Sequence, residues 1–161
     1  MKKIDIYFTD SGSIFSRIIK WRLKTDFSHV MAVVPLEKMG IARVYQASHG
    51  SVNTIELRNF LMKSKVIRKI SIEIEMEKFK KLIYFLEMQT GKDYSEMGAI
   101  ASTFKFLRDM GLASNGEEKF FCSEYIASAL EYAGIFDFKR ALDYVDPKTF
   151  LKEIESRGFD A

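Results

Sequence analysis

A chain of 161 residues, 47% hydrophobic and 29% charged, can bury a core without staples and is too apolar to be a disordered tail. Its formal net charge is +3, and Lys and Arg are interleaved with Glu, as in Glu77-Lys78-Phe79-Lys80-Lys81, so it lacks the clustered basic footprint of a nucleic-acid-binding protein. A single cysteine rules out an intrachain disulfide and suits a reducing compartment.

Met1-Lys2-Lys3 carries the charge of a signal n-region, but Asp5 and Asp10 break the apolar stretch that an h-region would need. No apolar run reaches bilayer-spanning length, so the chain reads as cytoplasmic, or as delivered by a route that uses no signal peptide, with no integral membrane segment. Ile4–Phe8 is a short apolar strand. Asp10-Ser11-Gly12-Ser13 is a turn and helix N-cap cluster. A helix is expected over Ile14–Leu23, with Ile14, Ile18 and Trp21, then Phe15 and Ile19, forming a broad buried face. Arg17, Lys20, Arg22 and Lys24 fill much of the rest: a solvated face, or one that meets a membrane surface or an anionic substrate.

After the loop Thr25–Ser28, His29–Val34 is a nearly continuous apolar strand of the kind found inside a sheet. Pro35–Gly40 connects it to a strand over Ile41–Ala47. A turn at Ser48-His49-Gly50-Ser51 leads to another over Val52–Leu57, so 29–57 reads as an antiparallel meander. Asn59–Ser64 is a helical turn. Val66–Ile74 is a strand with Ile70, Ile72 and Ile74 on one face and Glu73 and Glu75 opposite. Met76–Thr90 is a helix on the spacing of Phe79, Leu82, Ile83 and Leu86, closed by Gly91. Met97–Met110 is read as helical and Gly111–Gly116 as an exposed loop. Phe120-Phe121-Cys122 leads into a helix over Ser123–Tyr132 that stops near Gly134, and Asp146-Pro147 opens a last helix ending at Gly158. No repeat or composition shift interrupts the pattern, so residues 1–161 read as one α+β domain.

Chemistry is concentrated around Cys122. Tyr125, Ile126, Ala129, Leu130 and Ala133 lie beyond it at helical spacing, which puts the cysteine on the buried side of a helix at its first turn. A helix N-terminus favours a thiolate, and its N–H groups can hold an oxyanion. A cysteine there also fits as a small core residue. A thiolate nucleophile needs a partner base. The chain offers His29, at the rim of an apolar strand, and His49, in a turn. Either a catalytic position or a solvent-facing strand end suits His29. Gln46, on the next strand, can orient an imidazole or simply face water. No metal-ligand spacing and no phosphate-binding glycine loop occurs, so no cofactor is expected.

The segments Phe27-Ser28-His29-Val30-Met31-Ala32-Val33-Val34, Val44-Tyr45-Gln46-Ala47 and Phe121-Cys122-Ser123-Glu124-Tyr125-Ile126-Ala127 resemble the circularly permuted NlpC-type papain-like cysteine hydrolases. The YiiX-like branch, related to lecithin–retinol acyltransferase-like proteins, has a similar SHV strand, VYEA strand and FCSE helix start. Gly12-Ser13-Ile14-Phe15-Ser16-Arg17 and Gly91-Lys92-Asp93-Tyr94 are similar too, so the likeness covers most of residues 4–135. It implies a permuted papain-like α+β fold, an antiparallel sheet packed against helices with the cysteine at a helix N-terminus. It also implies a Cys122 nucleophile, a His29 base and a Gln46 orienter, with Tyr94 and Ser123 at the substrate or oxyanion side. The branch has Glu where this chain has Gln46, and a neutral amide orients the ring without stabilising imidazolium by charge. The expected activity is hydrolysis of an amide bond in a peptide or isopeptide, including cell-wall peptide. An acyl-chain (lipid) hydrolase or transferase, and a non-catalytic binding module, are the alternatives. The expected partner is thus a peptide or acyl substrate and not a nucleic acid.

Overall fold

The computed structural model describes residues 1–36, 40–48, 51–92, 117–138 and 145–159, without the side chains of Phe15 and of 117–121. Five strands, β1 (Lys2–Asp10), β2 (His29–Leu36), β3 (Ile41–Ser48), β4 (Ser51–Glu56) and β5 (Lys65–Ile74), form one sheet in the order β4-β3-β2-β1-β5. Every neighbouring pair is antiparallel. The expected meander is present as β2-β3-β4. β1 pairs with β2 on one side and β5 on the other. The helices are α1 (Ile14–Leu23), α2 (Leu57–Leu61), α3 (Met76–Gln89), α4 (Glu117–Tyr132) and α5 (Pro147–Glu155). The architecture is therefore α+β. Leu57, expected to end β4, instead begins α2. The helix expected over Met97–Met110 and the loop over Gly111–Gly116 lie outside the described residues.

Strand alternation gives the sheet two apolar faces. Ile4, Ile6 and Phe8 of β1, Val30, Ala32 and Val34 of β2, and Ile70, Ile72 and Ile74 of β5 share the main core with Leu82 and Leu86 of α3, Tyr125, Ile126 and Leu130 of α4, and Phe150 and Ile154 of α5. Met31, Val33 and Val44 make a smaller cluster with Phe60 of α2. A sheet covered on both sides explains why β2 is an unbroken apolar run. At the end of α3 the chain turns through Gly91, whose φ of 87° belongs to the left-handed region. Its N–H donates to the Val52 carbonyl, and the Val52 N–H donates to that of Lys92, so this segment is tied to β4.

Two expectations are corrected. In α1, Ile19 and Ser16 are buried, whereas Ile14, Ile18 and Trp21 face solvent. The reason is polar. The Ser16 hydroxyl bonds with that of Ser28 at 2.6 Å and also donates to Asp10, which fixes the inward side of the helix. Periodicity alone cannot choose between two apolar stripes on one short helix. The second correction concerns α4, which begins at Glu117, so Cys122 lies in its second turn and not at its N-terminus. Glu117, Glu118 and Lys119 are strong helix formers, and the helix is already under way before the aromatic pair.

Candidate functional site

The paired part of β2 and β3 ends at Ala32–Tyr45. Continuing that register would set Val30 against Ala47. Instead the Val30 N–H donates to Cys122 Sγ at 3.4 Å. Cys122, fully buried on α4, thus meets the sheet where β2 and β3 part, at the residue next to His29. α4 lies across both strands and carries the sulfur there.

His29 is the residue before Val30, and its ring meets Gln46 of β3. His29 Nε2 and Gln46 Oε1 are 2.9 Å apart. The orientation of the amide is set by its other end: Gln46 Nε2 donates to Asn53 Oδ1 at 3.1 Å. Asn53 Nδ2 donates in turn to the Ser48 hydroxyl and carbonyl, at 3.0 and 3.3 Å. Donors therefore run in one direction from the imidazole to the β3–β4 turn. In a neutral ring this places the hydrogen on Nε2 and makes Nδ1 the acceptor nitrogen. Gln46 and Asn53 are paired positions of the β3–β4 ladder, so both amides stand on one face. Asn53 was missed in the sequence, although the meander register by itself places it opposite Gln46.

The strand end that carries His29 is anchored from behind. The Ser28 N–H donates to the Thr9 carbonyl at 3.0 Å, and Thr9 pairs with His29 across β1 and β2. The Ser28 hydroxyl meets Ser16, and Ser16 meets Asp10, which also takes the Lys20 ammonium at 2.5 Å and the Gly12 N–H at 3.0 Å. Burial alone would raise the Asp10 pKa; the bonds from Lys20, Ser16 and Gly12 outweigh it and bring the group from 3.8 to about 2.

Of the other expected site residues, Ser123 is fully buried and its hydroxyl donates to the Val145 carbonyl at 2.6 Å, tying α4 to the segment before α5. Tyr94 and His49 lie outside the described residues. Among the described residues, no three His, Cys, Asp or Glu side chains gather as a metal set.

No family model matches the sequence, and no curated protein matches it. A solved structure does. Metalloprotein YiiX from Escherichia coli O157:H7 superposes with a TM-score of 0.59 at 21% identity, over 98% of this chain and 82% of that one. The fold is similar to that of YiiX. The likeness agrees with the YiiX-like resemblance of the strand and helix motifs. At this identity it speaks for the fold alone.

Proposed function

We propose that the chain is a cysteine hydrolase of amide bonds with a permuted papain-like site, in which Cys122 is the nucleophile, His29 the acid–base and Gln46 the group that orients the imidazole. The observation that carries this reading is the directed chain from His29 through Gln46 to Asn53, beside the point where Cys122 Sγ takes the Val30 N–H. A ring held by Nε2 offers Nδ1 for exchange with a thiol, and an N–H aimed at sulfur is a stronger bond to a thiolate than to a thiol. The thiolate adds to the substrate carbonyl, forming the C–S bond. Collapse breaks the C–N bond as the imidazolium gives its proton to the leaving amine. Water then attacks the thioester with His29 taking its proton; the C–O bond forms, the C–S bond breaks and the thiol is restored. The amide of Gln46 holds the ring without a counter-charge, so His29 works by position. YiiX is described as a metalloprotein; among the described residues here no three His, Cys, Asp or Glu side chains gather, and no step is routed through a metal.

A second reading, a non-catalytic module on the same fold, is favoured by the full burial of Cys122 among core residues. Iodoacetamide labelling separates the two. At about pH 6, where an ordinary thiol of pKa about 8.5 is almost wholly protonated, the wild-type chain should alkylate at Cys122 at least tenfold faster than His29→Ala, with Gln46→Ala between them. Equal rates in folded wild type and His29→Ala would remove the catalytic reading and leave Cys122 as packing. If the labelling holds, Cys122→Ala used as a trap in cell extract should retain a peptide-like ligand; a retained lipid would move the substrate class to acyl chains.

A further inference from the structure

The outward face of α1 is apolar where a solvated helix would be polar. Ile14 is 72% exposed, Ile18 44% and Trp21 83%. At about 100° per residue these three fall within roughly 60° of one another around the helix axis. Arg17 lies on one side of the stripe, with Lys24 beyond it at the C-cap, and Arg22 on the other; all three are exposed. No acidic residue occurs between Ile14 and Leu23. Lys20 turns away from this face to Asp10. The inward face of the same helix is anchored by Ile19 and Ser16, so the apolar stripe is held in place with no described element covering it.

From this face we infer that α1 is a membrane-surface helix that seats the protein on an anionic bilayer. The pattern is that of an interfacial helix: a narrow apolar stripe bearing a tryptophan, bordered on both sides by cationic side chains that reach the headgroups. Charge complementarity selects the occupant. A second copy docked by a twofold axis would bring Arg17 and Lys24 against the same cations. An anionic lipid surface meets both. The inference stands apart from the hydrolase reading and does not need Cys122 to be reactive. It also gives α1 a position: the membrane would lie on the far side of the helix from Ser16 and Ser28, which leads into His29.

Trp21 is the sole tryptophan, so its fluorescence reports this face directly. Full-length protein should be mixed with vesicles of phosphatidylcholine alone and of phosphatidylcholine with phosphatidylglycerol. With the anionic vesicles, emission should shift to shorter wavelength, be quenched by brominated lipid and lose its acrylamide quenching, and added salt should reverse the effect. Arg17→Glu with Arg22→Glu should weaken partitioning by about tenfold or more, since each cation near a charged leaflet contributes on the order of a fivefold factor. Ile14→Ser with Ile18→Ser should do likewise at unchanged far-ultraviolet dichroism, because neither side chain packs in the core. Trp21 emission unmoved by anionic vesicles would overturn the inference. So would equal binding to both vesicle types, or a concentration-dependent dimer in which Trp21 becomes shielded without lipid.

Discussion

Asp10 shows how a single residue at a strand end serves a site it does not touch. It gathers Lys20, Ser16 and the Gly12 N–H, and through Ser16 it holds Ser28, the residue before His29. Its carboxylate pKa falls to about 2 from 3.8, so the folded state binds this proton less readily than the unfolded chain. Its contribution is therefore complete above the unfolded value and lost as pH falls from about 4 through about 2. Thermal melts over that window should show a steeper loss for the wild type than for Asp10→Asn. A parallel decline in both proteins would mean that other carboxylates carry the acid dependence. The same residue scale holds the contrast between Gln46 and the Glu of the resembled branch. Here the amide has both ends in use, on His29 and on Asn53, and a carboxylate in its place would face the Asn53 Oδ1 with no hydrogen to donate.

At the scale of elements, α4 is a core helix first. Cys122, Tyr125, Ile126, Ala129 and Leu130 are all fully buried, and the Tyr125 hydroxyl donates to the Leu86 carbonyl of α3 at 3.1 Å. Leu130→Ala removes a large apolar side chain from a packed interior and should cost roughly 2–5 kcal/mol. Cys122→Ala removes one sulfur atom, worth about 1 kcal/mol as buried apolar volume, together with an acceptor for the Val30 N–H. Urea denaturation of both variants should therefore rank Leu130→Ala well below Cys122→Ala, while turnover or alkylation should rank them the other way. A Cys122→Ala protein as unstable as Leu130→Ala would show that the cysteine is chiefly a packing residue.

For the molecule as a whole, the sheet order places β1 at a junction. It pairs with β2 through Asp5–Val33 to Thr9–His29, and with β5 along its whole length. Ile4, Ile6 and Phe8 are fully buried, and Phe8 meets both Phe27 and Phe150, joining the start of β2 and α5 to one strand. The amides of β1 and central β2 should open only with global unfolding, whereas those of β4 at the sheet edge should open locally. Hydrogen exchange measured by mass spectrometry should find the slowest peptides in β1 and β2, and faster exchange in β4. The reverse order would mean that the edge hairpin β3–β4, and not the β2–β1 pair, is the stable unit. No described helix is long and apolar enough to cross a membrane.

The sequence by itself determined the elements whose signals are local. The apolar run of β2, the alternation of Ile70, Ile72 and Ile74, the spacing in α3 and the Asp146-Pro147 start of α5 each come from period and capping within a few residues. Gln46 was also legible as a neighbour of His29, because antiparallel pairing of β2 and β3 brings it alongside the start of β2. Tertiary structure decided the rest. Which stripe of α1 is buried depends on Ser28 and Asp10, which reach Ser16 from other elements. The place of Cys122 depends on where β2 and β3 stop pairing, and no period in α4 encodes that. Local patterns set the form of a segment, since its backbone bonds close within or next to it. The direction a face takes, and the meeting of sulfur with strand, are settled by contacts between residues as many as 92 positions apart.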